Sequence, residues 1–329
     1  MLVDSFGRSI NYLRLGVTDK CNLRCFYCMP ESGIDWLKRT ELLSYEELYY
    51  LCRILTKMGI EKIRITGGEP FVRNDIMKLL HALSKLAGLQ ELTITTNGVL
   101  TADLVPELKA IGIKSVNLSI DSLDRARFTN ITKRDELAAV LRTLEQLQRH
   151  GIAIKINAVV MENKNIADIV PLTQLSKDLG IDVRFIEEMP FNGAGQHYSS
   201  LTWDHTRILN YLKEYYPNIH KIADPPYSTS YNYEIPGHRG KIGIIAAYTR
   251  LFCGTCNRIR ITPNGTLKTC LYDNGVINLR SIIRDKKDDL LVEQLILQAI
   301  AKKHENGWQA EKSRNNNEPV HESMATIGG

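Results

Sequence analysis

The chain has 329 residues, 43% apolar and 24% charged, the balance of a globular protein that can bury a large core rather than of a disordered one. Its net charge of +5 comes without any Lys/Arg-rich block, which excludes a nucleic-acid footprint but leaves room for an anionic small ligand. No apolar run reaches the roughly 18 residues of a membrane span, and no signal-peptide pattern opens the chain, so a cytoplasmic protein is expected, its seven cysteines reduced and free for metal binding or catalysis.

As far as residue 187, β-type runs alternate with helical stretches. The runs cover 12–17, 62–66, 91–96, 115–120, 152–160 and 182–187. Helices are predicted from Ser44, where Glu47 three residues on completes a capping box, and over 75–86, 101–110, 135–149 and 166–179. Gly59, Gly88, Gly112, Gly151 and Gly180 each stand between a helical segment and the next strand, where a left-handed C-cap favours glycine. The strands read as apolar on both faces, as parallel strands covered by helices should be. Six β/α units of this kind indicate an α/β fold, an incomplete (β/α)6 TIM-type barrel; a doubly wound open sheet is the alternative. After Pro190 the rhythm breaks. Short strands with turns at Thr255 and Pro263-Asn264-Gly265 follow, then a helix near 283–302 and a polar tail ending in Gly328-Gly329. We read 1–189 as the barrel and 190–329 as an α+β cap region over its mouth.

Three cysteines, Cys21, Cys25 and Cys28, follow the first predicted strand, and loops after the strands form the functional face of a parallel barrel. Three thiolates in one loop suit a soft metal centre. A closed zinc site wants four ligands; a [4Fe–4S] cluster held by three keeps one iron open. Cys253, Cys256 and Cys270 repeat the arrangement far downstream. Zinc completed by a distant residue remains open at both triplets, with His238 a candidate at the second. Cys52 falls in a helix and reads as core.

Four predicted strands carry a cation between apolar neighbours: Arg14, Arg64, Lys155 and Arg184. Successive strand residues point to opposite faces, so each cation faces either the helix layer or the lumen. Burying one unpaired costs several kcal/mol. Four on separate strands are best explained by a shared polyanion in the lumen, and Arg258 and Arg260 would add two more on one face. Arginine forks match phosphate oxygens, so a nucleoside triphosphate fits.

The segment CNLRCFYC (21–28), followed by Gly67-Gly68-Glu69-Pro70 after the second strand, resembles the signatures of radical S-adenosylmethionine enzymes. DSFGR (4–8), TITTNG (93–98), NLSIDSL (117–123), RFIEEMP (184–190) and CGTCNRIRITPNGTLKTCL (253–271) extend the resemblance over nearly the whole chain, to the GTP 3′,8-cyclase branch of molybdenum-cofactor biosynthesis. That resemblance implies two [4Fe–4S] clusters, one per cysteine triplet, and S-adenosylmethionine chelated to the open iron of the first. It implies S-adenosylmethionine contacts at Tyr27, Gly68, Ser119 and Met189. GTP contacts are implied at Arg14, Arg64, Thr95, Lys155, Arg184, Arg258 and Arg260, with guanine on the second cluster and ribose contacts at Asn97 and Asp121. The reaction implied is radical conversion of GTP to 3′,8-cyclo-7,8-dihydro-GTP. The implied partners are a reduced flavodoxin- or ferredoxin-type electron donor and a downstream cyclic pyranopterin monophosphate synthase; a homodimer is compatible with it. The terminal glycines would thread into the site. The alternatives are another radical enzyme with an auxiliary cluster, such as a peptide maturase, and a zinc-stabilised binding protein.

Overall fold

In a computed structural model, the strands of the first half alternate with period two. β1 (Tyr12–Gly16), β2 (Lys62–Thr66), β3 (Glu91–Thr96), β4 (Ser115–Ser119), β5 (Ala153–Val160) and β6 (Asp182–Glu187) turn Leu13, Leu15, Ile63, Ile65, Ile94, Val116, Leu118, Ile156, Val183 and Phe185 into one continuous core, each 0% exposed. Burial of each such side chain is worth about 1.5–3 kcal/mol. The intervening positions hold Arg14, Arg64, Thr93, Thr95, Asn117, Ser119, Lys155, Asn157 and Arg184. This corrects the expectation of strands apolar on both faces. Helices cover one face, while the other lines a polar lumen. The structure describes residues 2–30, 32–191, 201–286, 288–314 and 322–328.

The helices between these strands are α1 (Tyr45–Met58), α2 (Ile76–Leu83), α3 (Val105–Ala110), α4 (Arg125–Thr132), α5 (Leu137–Arg149) and α6 (Ile169–Asp178). The capping box at α1 forms as its spacing requires, with Glu47 N donating to Ser44 Oγ at 3.2 Å and Ser44 N to Glu47 Oε2 at 2.6 Å. The five inter-element glycines all adopt positive φ, from +62° to +116°. α4 went unpredicted. It is short and polar, and is set by Asp124, whose carboxylate accepts from Arg127 N.

Beyond residue 190 come α7 (His205–Tyr215), β7 (His220–Lys221), β8 (Tyr231–Glu234), β9 (Ile242–Ile245), β10 (Arg258–Ile261), β11 (Thr266–Lys268) and β12 (Ile277–Asn278). These strands do not form a separate sheet. All twelve run in the order β12-β11-β10-β1-β2-β3-β4-β5-β6-β9-β8-β7. β10 pairs in parallel with β1, and β9 in parallel with β6. The six expected parallel strands thus become eight, two of them supplied by the C-terminal stretch. The single helix expected near 283–302 is two, α8 (Leu279–Asp285) and α9 (Asp289–Ala301). Asp288 breaks the run by capping Leu290 N and Leu291 N. α10 (Gly307–Lys312) and α11 (Met324–Ile327) complete the described elements.

Candidate functional site

The loop after β1 and the turn after β2 are locked together through their backbones. Gly68 N donates to Thr18 O at 2.8 Å and Glu69 N to Lys20 O at 2.9 Å. A Cβ on Gly68 would lie 2.5 Å from both Asp19 O and Lys20 O, and one on Gly67 would lie 2.4 Å from Thr18 O. Only glycine permits that approach. The Glu69 carboxylate is fully buried and accepts from Asn97 N (2.7 Å), Thr96 Oγ1 (2.9 Å) and Phe71 N (3.1 Å). Burial outweighs these bonds and pushes its pKa up to about 7. The three residues of the motif thereby brace the cysteine loop against the end of β3.

Cys21, Cys25 and Cys28 line one cavity. Burial pushes the thiols of Cys21 and Cys28 up to about 11 and about 12, and that of Cys25 well up. Leu23 N, which donates to Cys21 Sγ at 3.4 Å, and the Arg24 charge offset burial only in part at Cys21, so the thiols become good ligands when a metal centre supplies the positive charge. Tyr27 donates to Asp121 Oδ2 at 2.8 Å, and Asp121 Oδ1 accepts from Val159 N at 2.8 Å. Asn97 Nδ2 reaches Cys21 Sγ at 3.7 Å.

Cys253, Cys256 and Cys270 line the same cavity. Cys253 lies in a short 3-10 turn, Cys256 just precedes β10, and Cys270 follows β11. Asp273 Oδ2 fixes the last, accepting from Thr269 N at 2.9 Å and Cys270 N at 2.8 Å. Arg8, held by Asp4 at 2.6 Å, donates to Cys253 O at 3.0 Å and His304 O at 2.7 Å. Burial pushes the Cys256 thiol up, but Lys303, Arg258 and Arg8 outweigh it and bring the pKa down to about 6. Burial leaves the Cys253 and Cys270 thiols raised, although the Lys303 charge favours the thiolate at all three. Among the described residues, no three Cys, His, Asp or Glu side chains are gathered tightly enough to share a single metal ion. His238 bonds Ser176 instead, at 2.7 Å, and does not line the cavity.

Between the triplets the cavity, about 310 Å³, is lined by Arg14, Arg64, Arg184, Arg258 and Arg260. Their side-chain hydrogen bonds go to neutral groups: Arg64 Nε to Thr93 Oγ1 at 3.2 Å and Arg260 Nη1 to Gly328 O at 2.7 Å. Arg14 Nε and Arg258 Nε and Nη2 have no hydrogen-bond partner among the described residues. Burial lowers Arg184 to about 10 and Arg260 to about 9. Tyr12 lies beneath them on β1. Burial raises its phenol, yet Arg64, Arg14, Lys62 and Arg258 together bring it down to about 8. Tyr27, Gly68, Thr95, Ser119, Met189, Asn97 and Asp121 also line the cavity. Lys155 does not. It sits one inward position before Asn157, half-buried, its charge disfavoured by burial and by Arg184. Cys52 is in the core, 0% exposed.

The tail docks where the glycine pair was expected to matter. Gly328 has φ +81°, and a Cβ there would lie 2.9 Å from Thr66 Oγ1 and 3.3 Å from Gly16 Cα. Ser323 Oγ donates to Cys28 O at 2.5 Å. Gly329 lies outside the described residues.

Among the lining residues that the sequence reading did not single out are Asn117, Asn157, Glu187 and Arg250. Asn117 and Asn157 could have been found from period two, each being two positions from a residue already singled out. Glu187 accepts from His205 N, Tyr248 N and Thr249 N at 2.8–2.9 Å, and Arg250 is stacked 3.5 Å from Tyr272 and 3.8 Å from Trp308. Both depend on long-range contacts that no local pattern announces.

Residues 15–175 match the Radical SAM superfamily and residues 181–308 match Molybdenum Cofactor Synthesis C. The GTP 3′,8-cyclase of Peptoclostridium acidaminophilum is 40% identical over 334 aligned positions, covering 100% of this chain and 98% of that protein. The mitochondrial GTP 3′,8-cyclase of Arabidopsis thaliana is 38% identical, over 92% of this chain and 78% of its own. Molybdenum cofactor biosynthesis protein 1 of Homo sapiens is 38% identical over 92% of this chain but 48% of its own, so the chain spans about half the length of that relative. Among solved structures, Streptococcus suis SuiB superposes with a TM-score of 0.67 at 15% identity, over 97% of this chain and 72% of that one. SuiB bound to S-adenosylmethionine gives 0.64 at 16%, over 90% and 68%, a likeness of fold. The zinc alternative at the first triplet gives way to the [4Fe–4S] cluster and S-adenosylmethionine that the superfamily implies, and the free thiols of that loop suit such a cluster. The chain belongs to the GTP 3′,8-cyclase family of radical S-adenosylmethionine proteins.

Proposed function

We propose that this chain converts GTP to 3′,8-cyclo-7,8-dihydro-GTP, the opening step of molybdenum-cofactor biosynthesis. The observation that carries the reading is one cavity lined at once by two cysteine triplets and by five arginines, Arg14, Arg64, Arg184, Arg258 and Arg260, that pair with no carboxylate among the described residues. When bound, the cluster on Cys21, Cys25 and Cys28 together with S-adenosylmethionine supplies the one-electron chemistry that removes hydrogen from C3′ of GTP. Tyr27, Gly68, Ser119 and Met189 shape the pocket for that cofactor. Arg14, Arg64, Arg184, Arg258 and Arg260 neutralise the triphosphate from several strands, with Lys155 contributing from below and Thr95 beside them. Cys253, Cys256 and Cys270 would hold a second cluster whose open position takes guanine. Fixed at both ends, the ribose has little freedom to turn, so that C3′ and C8 are presented together, which is catalysis by positioning. A reduced flavodoxin- or ferredoxin-type donor, a downstream cyclic pyranopterin monophosphate synthase, a homodimer and a cytoplasmic setting belong to the same reading.

The test is anaerobic incubation with GTP, S-adenosylmethionine and dithionite, followed by mass analysis of the nucleotide. A cyclised, isobaric nucleotide distinct from GTP by chromatography is expected. Cys253→Ser should still cleave S-adenosylmethionine while failing to cyclise GTP; cyclisation at the native rate by this variant would sink the role given to the second triplet.

A further inference from the structure

Asn157 stands in the middle of β5 on the lumen face. Its register partners are Ser119 on β4 and Arg184 on β6. In the proposed reading these belong to the S-adenosylmethionine side and the phosphate side, so Asn157 occupies the junction of the two ligands. Its backbone is spoken for, the carbonyl accepting from Ile120 N at 3.0 Å. Its side-chain oxygen is not: Oδ1 is buried and has no hydrogen-bond partner among the described residues. Two other neutral or acidic groups on that face have partners, Asp121 with Tyr27 and Val159 and Thr93 with Arg64, whereas Arg14 Nε shares the unpaired state of Asn157 Oδ1.

A buried amide oxygen left unpaired is costly, so a ligand, an ion or an ordered water must supply its partner; Asn157 lines the cavity, where a ligand can do so. That ligand group must be a donor. Phosphate oxygens are acceptors and suit the arginines. The N–H edge of guanine is assigned to the second triplet, and β10, which follows Cys256, is separated from β5 in the sheet by β1 to β4. The donors remaining on a nucleoside triphosphate are the ribose hydroxyls; S-adenosylmethionine, on the Ser119 side, carries hydroxyl and amino donors too, and unchanged GTP affinity in the variant would assign Asn157 to it instead.

We infer that Asn157 accepts a hydrogen bond from a ribose hydroxyl of the bound nucleotide and so sets how the sugar faces the abstracting group. The inference rests on the cyclase reading and adds a positioning and specificity residue to it. A site built to bond a hydroxyl discriminates against the analogue lacking it, because the acceptor is then left unpaired.

The experiment is anaerobic titration calorimetry of the reconstituted protein with GTP, 2′-deoxy-GTP and 3′-deoxy-GTP, for the native chain and Asn157→Ala. The native chain should bind one deoxy analogue roughly 3- to 10-fold more weakly than GTP. Asn157→Ala should lose a similar factor toward GTP and nothing further toward that analogue. It should also release more 5′-deoxyadenosine per cyclised nucleotide. Equal loss by the variant toward all three nucleotides, or unchanged GTP affinity, would overturn the inference. So would a native chain that binds both analogues as well as GTP, even were the variant to misfold. A native chain that does not bind GTP at all would instead sink the cyclase reading.

Discussion

At the scale of single residues, the lumen is an array of cations without their anion. Arg260 is buried and Arg14 half-buried, neither is paired with a carboxylate among the described residues, and charge-assisted bonds to phosphate would repay the desolvation. Replacing either with alanine should weaken GTP binding roughly 10- to 100-fold and reduce its salt dependence, as read by anaerobic calorimetry at two ionic strengths; affinity equal to the native chain's would remove the residue from the phosphate site. Tyr12 offers a separate check on the field these cations create. Its phenol is lowered from 10.0 to about 8 in the folded chain. The folded state therefore releases this proton before the unfolded state does. The resulting stability is fully present above pH 10 and is lost as pH falls through about 8. Native protein should thus gain up to about 2–3 kcal/mol over Tyr12→Phe between pH 8 and 10 in urea unfolding. A difference that stays flat across that window would mean the phenol does not feel the cations.

At the scale of elements, the glycine turn after β2 and the cysteine loop after β1 act as one unit. Gly68→Ala introduces a methyl against two backbone carbonyls, Asp19 O and Lys20 O, which cannot swing aside as a flexible side chain would. The variant should lose about 1–3 kcal/mol of stability and bind less iron and sulfide after anaerobic reconstitution. Full iron loading at native stability would show that the loop is free to shift. Much of this unit was legible beforehand: the spacing of Cys21, Cys25 and Cys28, the following Gly-Gly-Glu, and the Ser44–Glu47 capping box are local patterns, each formed by residues a few positions apart. The same holds for the five positive-φ glycines. The lumen face was half legible. The cations stood out against their apolar neighbours, whereas the neutral Asn117 and Asn157 carried no charge to flag them, and their role follows from register alone.

Across the whole molecule, the two halves of the chain build one sheet and one cavity. The N-terminal segment reaches the far cysteine loop, where Arg8 satisfies the carbonyls of Cys253 and His304 and pairs with buried Asp4. Removing the guanidinium takes the counter-charge from Asp4 and leaves it only the backbone donors Phe6 N and Arg8 N on Oδ1. Arg8→Ala should cost about 3–5 kcal/mol and, on the proposed reading, lower iron per chain by about half while S-adenosylmethionine cleavage persists. Unchanged iron content would separate Arg8 from the second triplet.

The amino-acid sequence by itself determined the chemistry available: two sets of three thiols, cations embedded in apolar strands, and turn residues whose φ only glycine adopts cheaply. These are properties of residue type and short spacing. The tertiary structure decided that β10 joins β1 and β9 joins β6, that Arg260, Arg14 and Arg64 stand side by side on β10, β1 and β2, and that Lys155 stays out of the cavity lining. It also decided that Gly328 reaches Arg260 from 68 positions away. The reason is physical: pairing between distant strands, and the burial of charge that follows from it, depends on which chain segments close upon one another, and no local periodicity encodes that choice.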